Sequence, residues 1–370
     1  MATILLVSKP VEPPWNDSSK NLVRDLVLGM RRHQAVAFGR DGGERELGRA
    51  TLEPVHPALG SGRFAPALTD QLRVLRRLAF GRRPDLFHFF FAPNPRTSSV
   101  ARAASLVRHV RSVQTVCSVP RDDVDPRRVL FADRVVVLSR FTAERFARSG
   151  IAPERIVRIP PAAPPLVPLD LERRQKTRAA LGIDSDAPVV LYPGDLEFGN
   201  GARLTLEAHR LLPKETRLVM ACRAKTAKAR DIEAELRALA VRLGTSERVT
   251  FLGETSQILD VVGAADIVSL PSDVAYAKMD YPLVLLEAMA LARPVVVATG
   301  TPAAELADGG AARAVPPETD ALADALGTLV GDAVHREALG ARARETVLAE
   351  YDRARMARAY EALYDSLTHD

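Results

Sequence analysis

The sequence predicts an α/β protein built from two βα-repeat domains, and three observations carry that reading. Apolar runs of strand length alternate with stretches whose apolar residues recur at helical spacing, which argues parallel sheets covered on both faces. The stretch IPPAAPPLVP at 159–168 carries five prolines. Proline removes backbone donors and fixes φ, so this is linker chemistry. The βα pattern then restarts, and 370 residues suit two cores better than one.

The elements follow in order. ATILLVS (2–8) is apolar throughout and reads as a buried opening strand. KNLVRDLVLGMRRH (20–33) reads as a helix, and Asp17-Ser18-Ser19 before it supply side-chain oxygens for its first N–H groups. QAVAFGR (34–40), PDLFHFFF (84–91), VRSVQTVCSV (110–119) and DRVVVLS (133–139) read as strands, with helices at 67–80, 97–109 and 140–149. Beyond the linker, strands are expected at 187–194, 216–222, 248–253 and 265–272 and helices at 201–212, 231–244 and 255–263, with a helical tail around 336–347 and 351–367. Ligands of such sheets bind beyond the carboxyl ends of the strands, so the cleft between two such domains is the expected active site.

Composition narrows the classes. Hydrophobic residues make up 47% and charged residues 26%, which is ordinary for a soluble globular chain. Two cysteines far apart, Cys117 and Cys222, form no metal or redox motif. No secretory signal opens the chain and no apolar run nears the ~20 residues that span a bilayer, so a cytoplasmic protein is expected. Residues 1–165 hold 27 Lys and Arg against 15 Asp and Glu, so the first domain should meet something anionic: a lipid surface or a phosphorylated substrate. Contact with the inner membrane face would fall to LRVLRRLAFGRR (72–83). Aromatics at 5%, and no zinc-finger or RNP pattern, speak against nucleic acid.

Several sites are excluded by absence. The segment KPVEPPWNDSSK after the first strand has no glycine, so no dinucleotide fingerprint stands there, and no P-loop occurs. The histidines lack zinc spacing. Two D-x-D strings, Asp123–Asp125 and Asp184–Asp186, sit in turn-like settings and read as solvated loops, not metal sites.

The second half is more specific. LYPGDLEFGNGARLTLEAHRLL, RVTFLGE, AADIVSLPS, YPLVLLEAMALARPVVVAT and TPAAELADGGAARAVPPETDALADAL, in that order, resemble the nucleotide-sugar domain of the GT-B glycosyltransferases, in particular the retaining family 4. The first half resembles it more weakly, through RPDLFHFF, FADRVVVLSRFTAERFARSGI and APERIVRIPP. The resemblance implies a GT-B fold of two Rossmann-like domains, an acceptor-binding domain at 1–165 and a nucleotide-sugar domain at 166–345, with a helix at 346–370 returning to the first. It implies a metal-independent hexosyltransferase that retains configuration, with a UDP- or GDP-sugar as donor and a lipid-linked or phosphate-bearing acceptor. Its donor residues map onto Gly194, Gly253, Asp280, Pro282, Leu283, Val284 and Glu287, with Glu287 on the ribose hydroxyls and the helix start near 282–284 under the pyrophosphate. Pro282 fits a first helical turn.

The departures are as informative. The family's acid eight residues before Glu287 is Met279, its pyrophosphate arginine and lysine are Asp195 and Asn200, and a glycine turn is replaced by CRAKTAKAR (222–230). Arg223, Lys225, Lys228 and Lys278 are the expected replacement cations. A family histidine position is Cys117, while His88 matches another, which places both near the reacting groups. These changes carry an alternative: a GT-B protein that has lost transfer and serves as a binding or partner subunit.

Overall fold

The computed structural model describes residues 1–58, 68–121, 123–223, 226, 228–274 and 279–368. The chain divides into two compact units.

Unit 1 comprises residues 1–162, 276–280 and 351–370. Its elements begin with β1 (Thr3–Val7), α1 (Ser18–Gly29), β2 (Gln34–Arg40), β3 (Glu46–Leu47), β4 (Ala50–His56) and α2 (Leu68–Phe80). They continue with β5 (Leu86–Phe90), α3 (Pro95–Arg108), β6 (Arg111–Thr115), α4 (Pro126–Val129), β7 (Arg134–Val137), α5 (Arg140–Arg148) and β8 (Ile156–Arg158). The eight strands are ordered β3-β4-β2-β1-β5-β6-β7-β8, parallel except for the β3–β4 pair. All five residues of β5 are buried, and Phe87 and Phe89 pack with Leu5, Phe38 and Leu78 in a core between sheet and helices. A strand covered on both faces has no alternating pattern, which is why LFHFF reads as one apolar run.

Two features of this unit differ from the expectation. Helix α1 begins two residues early and ends at Gly29 because Met30 is extended (φ −64°, ψ 141°). The N–H groups of Arg31 and Arg32 then donate to the buried Glu361 carboxylate at 2.7 and 2.5 Å. The β3–β4 hairpin went unread, since Glu53 and Pro54 interrupt its apolar pattern and proline within a run argues against a strand. Gly48, at φ 58°, makes the two-residue turn in the left-handed conformation such hairpins need.

Unit 2 comprises residues 163–275 and 281–350. It runs α6 (Leu171–Ala180), β9 (Val189–Tyr192), α7 (Gly201–Arg210), β10 (Arg217–Met220), α8 (Lys228–Arg242), β11 (Val249–Phe251) and α9 (Ile258–Ala264). Then come β12 (Ile267–Leu270), α10 (Leu283–Ala290), β13 (Val295–Ala298), β14 (Arg313–Val315), α11 (Thr319–Gly331) and α12 (Ala333–Glu350). Its sheet is ordered β11-β10-β9-β12-β13-β14, and every pairing is parallel. Helix α6 (LERRQKTRAA) has almost no apolar face, so periodicity could not reveal it. Polar bonds hold it instead: buried Arg178 donates to the carbonyls of Ala264, Ser185 and Ala187 and to the Asp266 carboxylate at 2.7 Å.

The tail at 346–370 splits between the units. Residues through Glu350 complete α12 in unit 2, and α13 (Arg353–Thr368) belongs to unit 1. There α13 packs on α1 so closely that a Cβ on Gly29 would lie 2.7 Å from the Ala357 Cβ.

Candidate functional site

In unit 2 the chain lays β10 and β11 to one side of β9 and β12 to the other, so the topological switch lies between β9 and β12. A crevice beyond the carboxyl ends of these strands is where open parallel sheets hold ligands. Glycines let neighbouring side chains lie against the backbone there. A Cβ on Gly194 would stand 2.7 Å from the ring of Tyr192, and Gly199 takes φ 80° just before α7. Asp273, after β12, accepts the N–H of Asn200 at 2.8 Å, and Tyr192 Oη donates to the Asp195 carbonyl at 3.2 Å. The tips of β9 and β10 meet in a backbone bridge between Asp195 and Arg223. The aspartate that replaces the expected arginine thus has the expected replacement cation as its neighbour.

Helix α10 starts at the same edge. Pro282 is its N-cap residue (φ −52°, ψ 121°), one place before the first turn, and makes no side-chain cap. The first N–H groups of a helix have no intrahelical acceptors, so this end presents donors and a positive dipole. Leu283 is buried, and the helix residues that are not fully buried are Val284 and Glu287, one turn apart on one face. The approach to α10 is pinned by Tyr281, whose hydroxyl donates to Glu305 at 2.6 Å. That pair and Asp273 went unread in the sequence, because the partners lie 24 and 73 residues apart.

The other expected residues separate. Gly253 (φ 73°) follows the edge strand β11, two strands from β9 and so about 10 Å from the switch. Lys225 and Lys278 lie outside the described residues. Lys228 is exposed at the start of α8. Asp280 falls in unit 1, where it is buried and accepts from Ser139 Oγ at 2.6 Å.

The carboxyl edge of the unit 1 sheet is built differently. Asp17 caps α1, accepting from the N–H groups of Ser19 and Lys20 at 3.0 and 3.2 Å and from Lys9 Nζ at 2.6 Å. Burial raises its carboxyl, but the Lys9 charge and these hydrogen bonds outweigh it and hold the group well below the usual carboxylate range. Lys20 Nζ donates to the Glu12 carbonyl at 2.8 Å, and Arg40 pairs with the Glu12 carboxylate at 2.7 Å. Trp15 lies under Lys20 and Arg24. Burial, then neighbouring cations, lower the Lys20 ammonium from its usual range.

His88 and Cys117, expected near the reacting groups, both lie buried in unit 1. His88 is 0% exposed, with Nδ1 2.7 Å from Tyr364 Oη and Nε2 2.7 Å from Thr115 Oγ1. Thr115 Oγ1 in turn meets Tyr360 Oη at 3.1 Å. Burial pushes the imidazole well below its usual pKa, so it is a neutral hub that seats α13 on β5 and β6. Cys117 is 6% exposed. Burial first, then Asp17 and Asp280, push its thiol far up, which removes the thiolate that nucleophilic chemistry needs. Among the described residues, no group of acids, histidines and cysteines is arranged to hold a metal ion, and no helix is long and apolar enough to cross a membrane.

Residues 20–165 match the family described as Glycosyltransferase Family 4, and residues 187–332 match Glycosyl transferases group 1. A D-inositol 3-phosphate glycosyltransferase of Xylanimonas cellulosilytica is 32% identical over 228 residues, covering 58% of this chain and 53% of that protein. The one of Nocardia farcinica is 31% identical over 239 residues, covering 61% and 51%. The chain thus spans about half the length of these relatives. Among solved structures, Anabaena Alr3699/HepE in complex with UDP and glucose superposes with a TM-score of 0.78 at 20% identity, covering 99% of this chain and 100% of that one. A glycosyltransferase from Rickettsia africae gives 0.77 at 16% identity, covering 99% and 98%. Two domain matches in chain order, on two parallel-sheet units with this fold, make the chain a member of the GT-B glycosyltransferases of family 4.

Proposed function

We propose that this chain transfers a sugar from a UDP-sugar to a phosphate-bearing acceptor, with retention of configuration and without a metal ion. The observation that carries the reading is α10: an uncapped N-terminus at the β9/β12 switch, with Val284 and Glu287 as its partly exposed face. The first-turn N–H groups and Arg223 meet the diphosphate, and Glu287 accepts from the ribose hydroxyls. The Anabaena protein was crystallised with UDP and glucose and with UDP-glucose, which supports the uridine nucleotide over GDP. Relatives acting on D-inositol 3-phosphate support a phosphorylated acceptor, for which unit 1 offers Lys9, Lys20 and Arg40 at its carboxyl edge.

With His88 and Cys117 buried, catalysis rests on orienting two substrates and stabilising the departing diphosphate. The two free, buried cysteines fit a reducing compartment such as the cytoplasm. Calorimetry with UDP, GDP, ADP and dTDP, followed by a donor-hydrolysis assay, tests binding and turnover separately. UDP should bind most tightly, and hydrolysis of a UDP-sugar should persist after exhaustive chelation. Absence of any nucleotide binding would overturn the donor site. Binding without turnover would overturn the activity.

A further inference from the structure

Arginines gather around one carboxylate at the amino edge of the unit 2 sheet. Arg174 and Arg178, one turn apart on α6, donate to the two oxygens of Asp266 at 2.5 and 2.7 Å. Asp266 immediately precedes β12, and its carboxylate also accepts the N–H of Val189, the first residue of β9, at 2.7 Å. Arg178 donates further to the carbonyl of Ala264 at 3.0 Å. Arg293, in the turn before β13, donates to the carbonyls of Ala265 at 3.2 Å and Leu291 at 3.1 Å. Three guanidiniums thus meet residues 264–266. Helix α12 brings a fourth. It lies so close to the same turn that a Cβ on Gly340 would stand 2.3 Å from the Ala292 carbonyl oxygen. One turn before Gly340, Arg336 donates to the carbonyls of Leu329 and Val330 at 2.7 and 3.1 Å.

The charges of this cluster do not cancel. Asp260, on α9, is taken by Arg173 at 2.8 Å. Arg174 Nε is buried and finds no acceptor among the described residues. Burial first, then Arg174, pushes the Arg293 guanidinium down to about 10, with Arg178 and Arg336 acting the same way and Asp266 opposing. Positive groups packed at this density repel one another unless an anion joins them. The Arg174 side chain is 26% exposed, which opens the cluster to solvent.

We propose that this cluster binds a phosphate dianion, held by Arg174, Arg293 and Arg336, with Arg178 and Asp266 as its frame. Guanidinium forks match a tetrahedral oxyanion in both geometry and charge, and the buried Nε–H of Arg174 gains the acceptor it lacks. The cluster lies across the sheet from the carboxyl-edge crevice between β9 and β12, so an anion bound here leaves that crevice free.

Calorimetry of the full chain with inorganic phosphate and with AMP, at an ionic strength fixed with sodium chloride, tests the site. Phosphate should bind and raise the melting temperature where chloride does not. Arg174→Gln and, separately, Arg336→Gln should each weaken that binding by about tenfold or more. Arg174→Lys, which keeps the charge but loses the fork, should recover part of it. AMP that binds more tightly than phosphate, with the same loss in the variants, assigns the site to a phosphoryl group on a nucleotide. Equal or weaker binding of AMP assigns it to free phosphate. A wild-type chain that binds neither, or variants that bind both as the wild type does, would overturn the proposal.

Discussion

The carboxyl edges of the two sheets solve the same problem in opposite ways. In unit 1, α1, α3 and α5 are each closed by their own N-cap side chain, Asp17, Asn94 and Ser139. In unit 2, Asp170 caps α6, but α7, α9, α10 and α11 have no side-chain cap, and glycines at 194 and 199 let neighbouring side chains lie against the backbone. A helix N-terminus satisfied by its own chain contributes stability, whereas one left open is available to an anion. The contrast teaches that similar βα repeats can close their helix N-termini with their own side chains in one unit and leave them open in the other.

That contrast can be broken by experiment. The largest effect is expected from His88→Ala in unit 1. It opens a cavity and strips partners from the buried Tyr364 and Thr115 hydroxyls, costing about 3–5 kcal/mol. Chemical denaturation should show this loss while UDP affinity holds; a normal melting profile with lost turnover would instead return His88 to the chemistry. In unit 2, Glu287→Ala should do the reverse. Losing charge-assisted bonds worth about 1.5–3 kcal/mol weakens UDP binding by roughly 10- to 100-fold, read by calorimetry, with little change in stability.

The pH dependence sharpens the comparison. Burial lowers His209 to about 4, below the ~6.5 of an unfolded histidine. As pH falls, the unfolded state takes the proton first, so stability declines from about pH 6.5 and levels off near 4. The total from this group is up to roughly 3 kcal/mol. His209→Gln should flatten that slope in denaturation midpoints taken across the range. His88, also lowered by burial, acts with the same sign in unit 1. Asp17, lowered in the folded state, contributes stability that disappears only below the usual carboxylate range.

The smallest effect belongs to Asp17→Ala. Loss of the cap costs about 1–2 kcal/mol, seen as a lower urea midpoint. Unit 1 must lose stability here without a change in UDP affinity if its edge is closed for structural reasons. A raised Kd for UDP would tie that edge to the donor.

Much of this was legible in the residues. LFHFF and VVVA announce buried parallel strands because both faces are covered, and DSS announces a cap because short oxygen side chains reach the next N–H groups. What escaped had no periodic signal: α6 is held by Arg178 and Asp266, and the β3–β4 hairpin carries a proline in its strand. At the candidate site, PLVLLEAMA announces α10, while the surroundings of Asp280 before it are set by a distant partner. Asp280 is buried and accepts from Ser139, 141 residues away in sequence.

By itself the sequence determined the βα alternation, the proline break, the first domain's basic excess and the family blocks, since all of these are local patterns. Only the tertiary structure decided which polar groups are used up. His88 is a packing hub because Tyr364, 276 residues later, returns on α13 to meet it. Periodicity can say that a side chain faces inward. Whether its polar atoms find partners depends on groups that folding alone brings within hydrogen-bond reach.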